Sequence, residues 1–204
     1  MSLKHSYSLL AYIYDPLIQK ATAVWRQRSF AYIEQATDKK ILINGIGSGL
    51  DIPFLQTGCH YTGTDITPAM LKKAQRRADS SPCSITLEQA DSMALPFADN
   101  SFDVVIMHLF LAVVPEPEKA LSEASRVLKP GGRIHIFDKF LKPGEFAPVR
   151  RFINLFSRHI ASRTDVIFET LLNSRQDLML VHEEPALANG WFRFILVEKH
   201  QEQG

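Results

Sequence analysis

The apolar positions along the chain come in two rhythms. Short unbroken runs alternate with longer stretches of helical spacing. Ile41-Leu42-Ile43 is a compact apolar run that stops at glycines, which predicts a buried strand. Further strands are predicted at Tyr61 to Asp65, Ser84 to Gln89, Phe102 to His108 and Arg133 to Asp138. The fourth is almost continuously apolar, as a strand covered on both faces must be. Between them lie helical stretches. Thr67-Pro68 reads as a cap and first helical residue for a helix running to about Arg77. Pro115 to Leu128 predicts another, with Lys129-Pro130-Gly131-Gly132 as its stop. Ser6 to Gln35, interrupted at Pro16, predicts two N-terminal helices. Strands alternating with helices imply an α/β fold with a parallel sheet and helices on both faces.

The C-terminal part departs from that rhythm. Leu178 to Val181 and Trp191 to Glu198 are strand-like, and the connection between them holds Asn189-Gly190, a hairpin signal. The expected fold is therefore Rossmann-like: a mostly parallel sheet closed by an antiparallel C-terminal hairpin. There is no internal repeat and no linker, so residues 1–204 are read as one domain. Within it, 1–38 is expected to form a helical lid and 141–176 a helical insertion.

Composition narrows the class. A formal net charge of +1 gives no global attraction to nucleic acid, so none is expected as a partner. Cys59 and Cys83 match no metal-ligand spacing, so no metal is expected, and thiols rather than a disulfide suit a reducing compartment. Met1 to His5 lacks the apolar run of a signal peptide, and no stretch approaches ~20 uninterrupted apolar residues. The expectation is a cytoplasmic protein able to lie against the inner membrane.

The chemistry gathers at strand ends. Gly45-Ile46-Gly47-Ser48-Gly49 follows the first strand, where glycines let backbone approach a ligand closely. A dinucleotide fingerprint would carry glycine where this chain has Leu50, which argues against a nicotinamide enzyme. Asp65 ends the second strand, where a carboxylate can accept from ribose hydroxyls. With Thr67 placed to cap the next helix, Asp65 is expected to be available for a ligand. Asp91, in Ala90-Asp91-Ser92 after the third strand, can accept from an exocyclic amine.

With Leu95-Pro96-Phe97, Ser101-Phe102-Asp103 and Leu128-Lys129-Pro130-Gly131-Gly132, these motifs resemble the class I S-adenosylmethionine (SAM)-dependent methyltransferases over roughly residues 40 to 140. The resemblance implies a seven-stranded sheet with SAM over the carboxyl ends of its strands. It places Gly45, Ile46, Gly47, Gly49, Ile66, Met70 and His108 against the cofactor, Asp65 at the ribose, and Asp91 with Ser92 at the adenine. One departure stands out. The family's first motif has an acidic residue two positions before the first glycine, and here that position is Ile43, followed by Asn44.

The segment Tyr7 to Asp15 looks like the opening of small bacterial methyltransferases acting on quinones and phospholipids. That resemblance puts Tyr14 over the cofactor and Tyr7 at the substrate. Leu111-Ala112-Val113-Val114-Pro115-Glu116-Pro117-Glu118, then Asp138-Lys139-Phe140, is similar to the short bacterial phosphatidylethanolamine N-methyltransferases. A histidine common near residue 112 or 113 in small-molecule methyltransferases is absent. From Phe146 to Arg163, Val149, Phe152, Ile153, Phe156 and Ile160 share one helical face, while Arg150, Arg151, Arg158 and Arg163 lie off it. A basic, aromatic-rich amphipathic helix suits an anionic membrane surface, and it equally suits the cover of a substrate cleft.

The expected activity is SAM-dependent N-methylation of a phospholipid headgroup. His108 and Asp138 are the candidate proton acceptors, and Lys139, Arg150 and Arg151 the candidate phosphate ligands. A quinone-ring carbon or a small thiol as acceptor, or a SAM-binding module without catalysis, are the competing readings.

Overall fold

In the computed structural model, residues 19–33, 38–141, 166–188 and 190–201 are described. A seven-stranded sheet runs through them in the order β3-β2-β1-β4-β5-β7-β6. Its strands are β1 (Lys40–Asn44), β2 (His60–Asp65), β3 (Ile85–Gln89), β4 (Phe102–His108), β5 (Leu128–Lys139), β6 (Leu178–Pro185) and β7 (Phe192–Lys199). The first five pair in parallel, and β7 lies antiparallel between β5 and β6. The α/β, mostly parallel fold with a reversed C-terminal hairpin is thus the observed one.

The period-two alternation of β4 shows how the layers form. Val105 and Met107 face one side, with Ala120, Leu121 and Ala124 of α3 (Pro117–Val127) and Phe168 and Leu171 of α4 (Phe168–Asn173). Val104 and Ile106 face the other, with Phe30 of α1 (19–31) and Ala74 of α2 (Pro68–Ala78). A third patch, Phe137, Phe194 and Leu196, packs under Trp25 and Tyr32 from the α1 segment. Both faces of β4 are buried, which is why its sequence reads as one apolar run.

Two local expectations are revised. Lys129-Pro130-Gly131-Gly132 does stop α3, but the chain is already in β5 there, because that strand begins at Leu128. The register jumps from Phe102 opposite Leu128 to Val104 opposite Arg133, so the Pro-Gly-Gly residues form an irregular opening to the strand. α3 begins at Pro117, two residues later than expected, with proline in the position its fixed φ favours. The proposed helix at 146–163 and the lid residues 1–18 lie outside the described residues.

Asp103 pins the far end of the sheet. Its carboxylate accepts the Lys40 N–H at 2.8 Å and pairs with Lys129 Nζ at 2.7 Å, joining the starts of β1 and β5 through β4. The carboxyl ends of the strands carry the candidate site.

Candidate active site at the carboxyl ends of the strands

The glycine loop leaves β1 and turns over the end of β2. Gly45 and Ile46 both donate their N–H to Thr64 O, at 2.9 and 2.8 Å. Gly45 has φ +76°, and a Cβ there would stand 2.1 Å from the Phe110 ring, so only glycine fits beneath that ring. At Gly47 (φ +56°) a Cβ would meet nothing within 4 Å among the described residues, which leave the loop open on that side. Gly49 lies against Ala74 of α2. Ile46 is buried and packs with the α1/α2-side core. Arg77 of α2 reaches back to donate to Ser48 O.

Asp65 does not stand clear of the protein, contrary to the expectation from the sequence. Thr67 occupies the cap position of α2 without a side-chain capping bond. Instead Asp65 Oδ1 accepts the Thr67 N–H at 2.8 Å, and Oδ2 accepts the Gly47 N–H at 3.0 Å. The carboxylate clamps the glycine loop to the start of α2. A carboxylate offers about four lone-pair sites, so it can hold these bonds and still accept from a ligand. Burial raises its pKa, against the two backbone donors that lower it.

Ile66 follows, 60% exposed, with Met70 partly buried one turn into α2. Asp91 and Ser92 sit partly exposed beyond β3, where Asp91 Oδ1 accepts the Met93 N–H at 2.9 Å. Asn44, the odd residue of the sequence motif, is 1% exposed. Its Oδ1 accepts from the Thr64 hydroxyl at 3.3 Å, and its Nδ2 is buried with no acceptor among the described residues.

These residues fit the cofactor that the sequence motifs imply. The loop is open above Gly47, two carboxylates stand at successive strand ends, and Asn44 keeps an unpaired donor beside the first glycine. Together with the sheet order, this is the layout of a class I SAM-dependent methyltransferase.

The two candidate proton acceptors are placed differently from the expectation. His108 is 5% exposed, on the α1 side of the sheet. Its Nδ1 lies 2.7 Å from Asp51 Oδ1 and its Nε2 2.9 Å from Ser29 Oγ. The connectivity is that of a serine-hydrolase triad, but Ser29 is wholly buried, so no substrate can reach it. With both ring nitrogens engaged beneath α1, His108 has no lone pair to offer a substrate or cofactor. Asp138 is 1% exposed, accepting the Ala112 N–H at 3.0 Å and the Lys139 N–H at 2.8 Å. Burial pushes its pKa up to about 6, opposed by those backbone donors. It acts as a strut: it fixes the turn after β4, from which Phe110 covers Gly45. Lys139, the last residue of β5, is half-buried, and burial lowers its pKa against the pull of Asp138.

Tyr7, Tyr14, Arg150 and Arg151 lie outside the described residues. The sequence missed Phe110, Asp51, Arg26 and Arg77, whose roles depend on partners far along the chain. A cavity of about 470 Å³ lined by Lys40, His60, Phe97 and Phe102 opens at the opposite end of the strands, away from this chemistry. Among the described residues no group of three or more His, Cys, Asp or Glu could hold a metal ion, and no helix is long and apolar enough to cross a membrane.

Comparison with known proteins agrees with the geometry. Residues 42–136, from within β1 into β5, match the family described as a methyltransferase domain. The chain is 29% identical over 201 residues to phosphatidylethanolamine N-methyltransferase of Cereibacter sphaeroides, covering 97% of this chain and 98% of that protein. It is 34% identical over 120 residues to the ubiquinone/menaquinone biosynthesis C-methyltransferase UbiE of Roseobacter denitrificans, covering 56% of this chain but 48% of that protein. Among solved structures it resembles the cyclase SpnF, with a TM-score of 0.73 at 17% identity over 89% of this chain and 82% of that one. A neighbour described as a cyclase shows that the fold alone does not set the reaction. The chain is a member of the class I SAM-dependent methyltransferases, and SAM is its cofactor.

Proposed function

We propose that the protein N-methylates the ethanolamine headgroup of a phospholipid at a membrane surface. The observation that carries this reading is the end-to-end match to a phosphatidylethanolamine N-methyltransferase. The match to the quinone enzyme covers only part of either chain. SAM supplies an electrophilic methyl group when bound, so what the protein must add is alignment and the exclusion of water. Asp65 and Asp91 hold the nucleoside, and the glycine loop and Asn44 hold the rest of the cofactor. Phe110, propped by Asp138, forms the wall between cofactor and acceptor. Tyr7, Tyr14, Arg150 and Arg151 keep the roles the sequence suggests for them, at the cofactor and the lipid phosphate.

Lys139 is suited to two tasks. Its ammonium can pair with the lipid phosphate. Because burial lowers its pKa, it can also take the proton that an ethanolamine ammonium must lose before it attacks. Arginine keeps the first ability and lacks the second. Transfer of labelled methyl groups from SAM should therefore appear in the lipid fraction of phosphatidylethanolamine vesicles. Lys139→Met should lower that rate by about tenfold or more. If Lys139→Arg restores it, the lysine binds phosphate; if it does not, the lysine moves the proton. Label in a demethylated quinone or a small thiol, with none in the lipid, would overturn the headgroup assignment.

A further inference from the structure

A line of buried polar side chains crosses from α1 to the sheet. Arg26 Nη1 pairs with Asp51 Oδ1 at 2.6 Å, and Arg26 Nε donates to Thr22 Oγ1 at 3.1 Å. The same Asp51 oxygen faces His108 Nδ1, and His108 Nε2 faces Ser29 Oγ. Ser29 Oγ in turn lies 3.2 Å from His135 Nδ1, which is also 3.1 Å from Ser29 O. Arg26, Ser29, Asp51, His108 and His135 are each at most 5% exposed.

Chemistry orders the protons along this line. Asp51 only accepts, so His108 Nδ1 carries a hydrogen. In the tautomer with hydrogen on Nδ1, Nε2 accepts the Ser29 hydroxyl hydrogen. Ser29 Oγ is left to accept from His135 Nδ1–H, which points at the Ser29 carbonyl as well. Along the line from Arg26 to His135 each step then pairs a donor with an acceptor, and the charges of Arg26 and Asp51 cancel. Arg26 beside Asp51, with His108, holds the Asp51 carboxyl well below the usual carboxylate range despite its burial.

Such a network is expensive to dehydrate and needs a reason to be kept. Its position supplies one. Asp51 lies two residues past Gly49, in a run of tight turns. The Gly49 N–H donates to Ile46 O, Ile52 N–H to Gly49 O, and Phe54 N–H to Asp51 O. A shift of Asp51 is carried directly into the glycine loop. We propose that Asp51 is a positioning residue for the cofactor loop. Arg26 of α1 and His108 of β4 grip its carboxylate, with Ser29 of α1 holding His108 from behind, and so fix the exit of Gly45–Gly49. The loop then has three anchors: Asp65 at Gly47, Arg77 at Ser48 and this network just past Gly49. The inference rests on the SAM reading of that loop.

The test uses the full chain and S-adenosylhomocysteine as probe, with affinity read by calorimetry and loop order by amide exchange over residues 45–50. Asp51→Asn keeps an acceptor for His108 but leaves Arg26 without its counter-charge. It should weaken binding by about tenfold or more, raise exchange in the loop, and raise the KM for SAM more than it lowers kcat. Ser29→Ala, which removes one hydroxyl, should move both readouts in the same direction by a smaller factor. If Asp51→Asn does not fold, Ser29→Ala decides. Wild-type affinity and wild-type loop exchange in a variant whose melting temperature alone has fallen would overturn the proposal. A wild-type protein that takes up no S-adenosylhomocysteine would instead overturn the cofactor reading, while loop exchange still reports on the anchor.

Discussion

At the scale of single residues, the glycine loop separates two kinds of constraint. Gly45 is required by packing, since a methyl group would stand 2.1 Å from Phe110. Gly47 is required by what the loop must hold, since a Cβ there would meet none of the described residues within 4 Å. Both have positive φ, which strains any L side chain. Gly45→Ala should therefore lower thermal stability by about 2 kcal/mol or more, the sum of strain and overpacking. Gly47→Ala should lower it by about 1–2 kcal/mol but abolish SAM binding. Melting curves with and without SAM separate the two. The glycines and strand-end aspartates were legible in the sequence because their spacing along the chain is the motif. The partners that Asp65 and His108 find inside the protein were not legible, because they depend on where a hydrogen bond points. In both, the groups that engage them, Gly47 and Thr67 or Asp51 and Ser29, could be identified only once the chain was folded.

At the scale of elements, strands were read well and their ends poorly. β4 announces itself because both its faces are buried. The start of β5 is hidden by Pro130-Gly131-Gly132, residues that ordinarily end structure, which here open a strand through a register shift. α1 is attached to the sheet by two means. Polar contacts, the buried line among them, are one, and apolar packing is the other: Trp25 covers Phe137 and Phe194, while Phe30, 1% exposed, packs with Tyr61 at a centroid separation of 6.5 Å and with His108 at 6.4 Å. Phe30→Ala should cost about 3–5 kcal/mol, the range for emptying a buried aromatic site. Denaturant unfolding measures that cost. Because the same helix carries Arg26 and Ser29, cofactor affinity should fall in this variant at denaturant concentrations where the sheet is still intact.

At the scale of the whole molecule, two buried groups give stability opposite dependences on pH. Burial pushes His135 down to about 3, with His108 adding to the effect. As pH falls below 6.5 the unfolded chain gains a proton there that the folded protein refuses until about pH 3, so stability is lost toward acid. Asp138 works in reverse. Its folded carboxyl keeps a proton up to about pH 6, whereas an exposed one releases it near 3.8, so stability is lost as pH rises through that window. His135→Asn keeps a donor for Ser29 O and removes the titration. Its stability should fall less than the wild type's between pH 6 and pH 4.5, by up to about 2 kcal/mol. Urea unfolding across that range tests the difference.

The sheet order also bears on the order of folding. β6 pairs only with β7, and β7 is the last strand in the chain although it lies between β5 and β6. β1 to β5 can stack before β7 docks, but β6 then has no neighbour, and Met179, Leu180 and Val181 stay exposed on it even in the finished fold. Without β7 the edge of β5 lies open and β6 lacks its partner, so both can pair with another chain. The docking of β7 is therefore the step of folding that closes the sheet against aggregation.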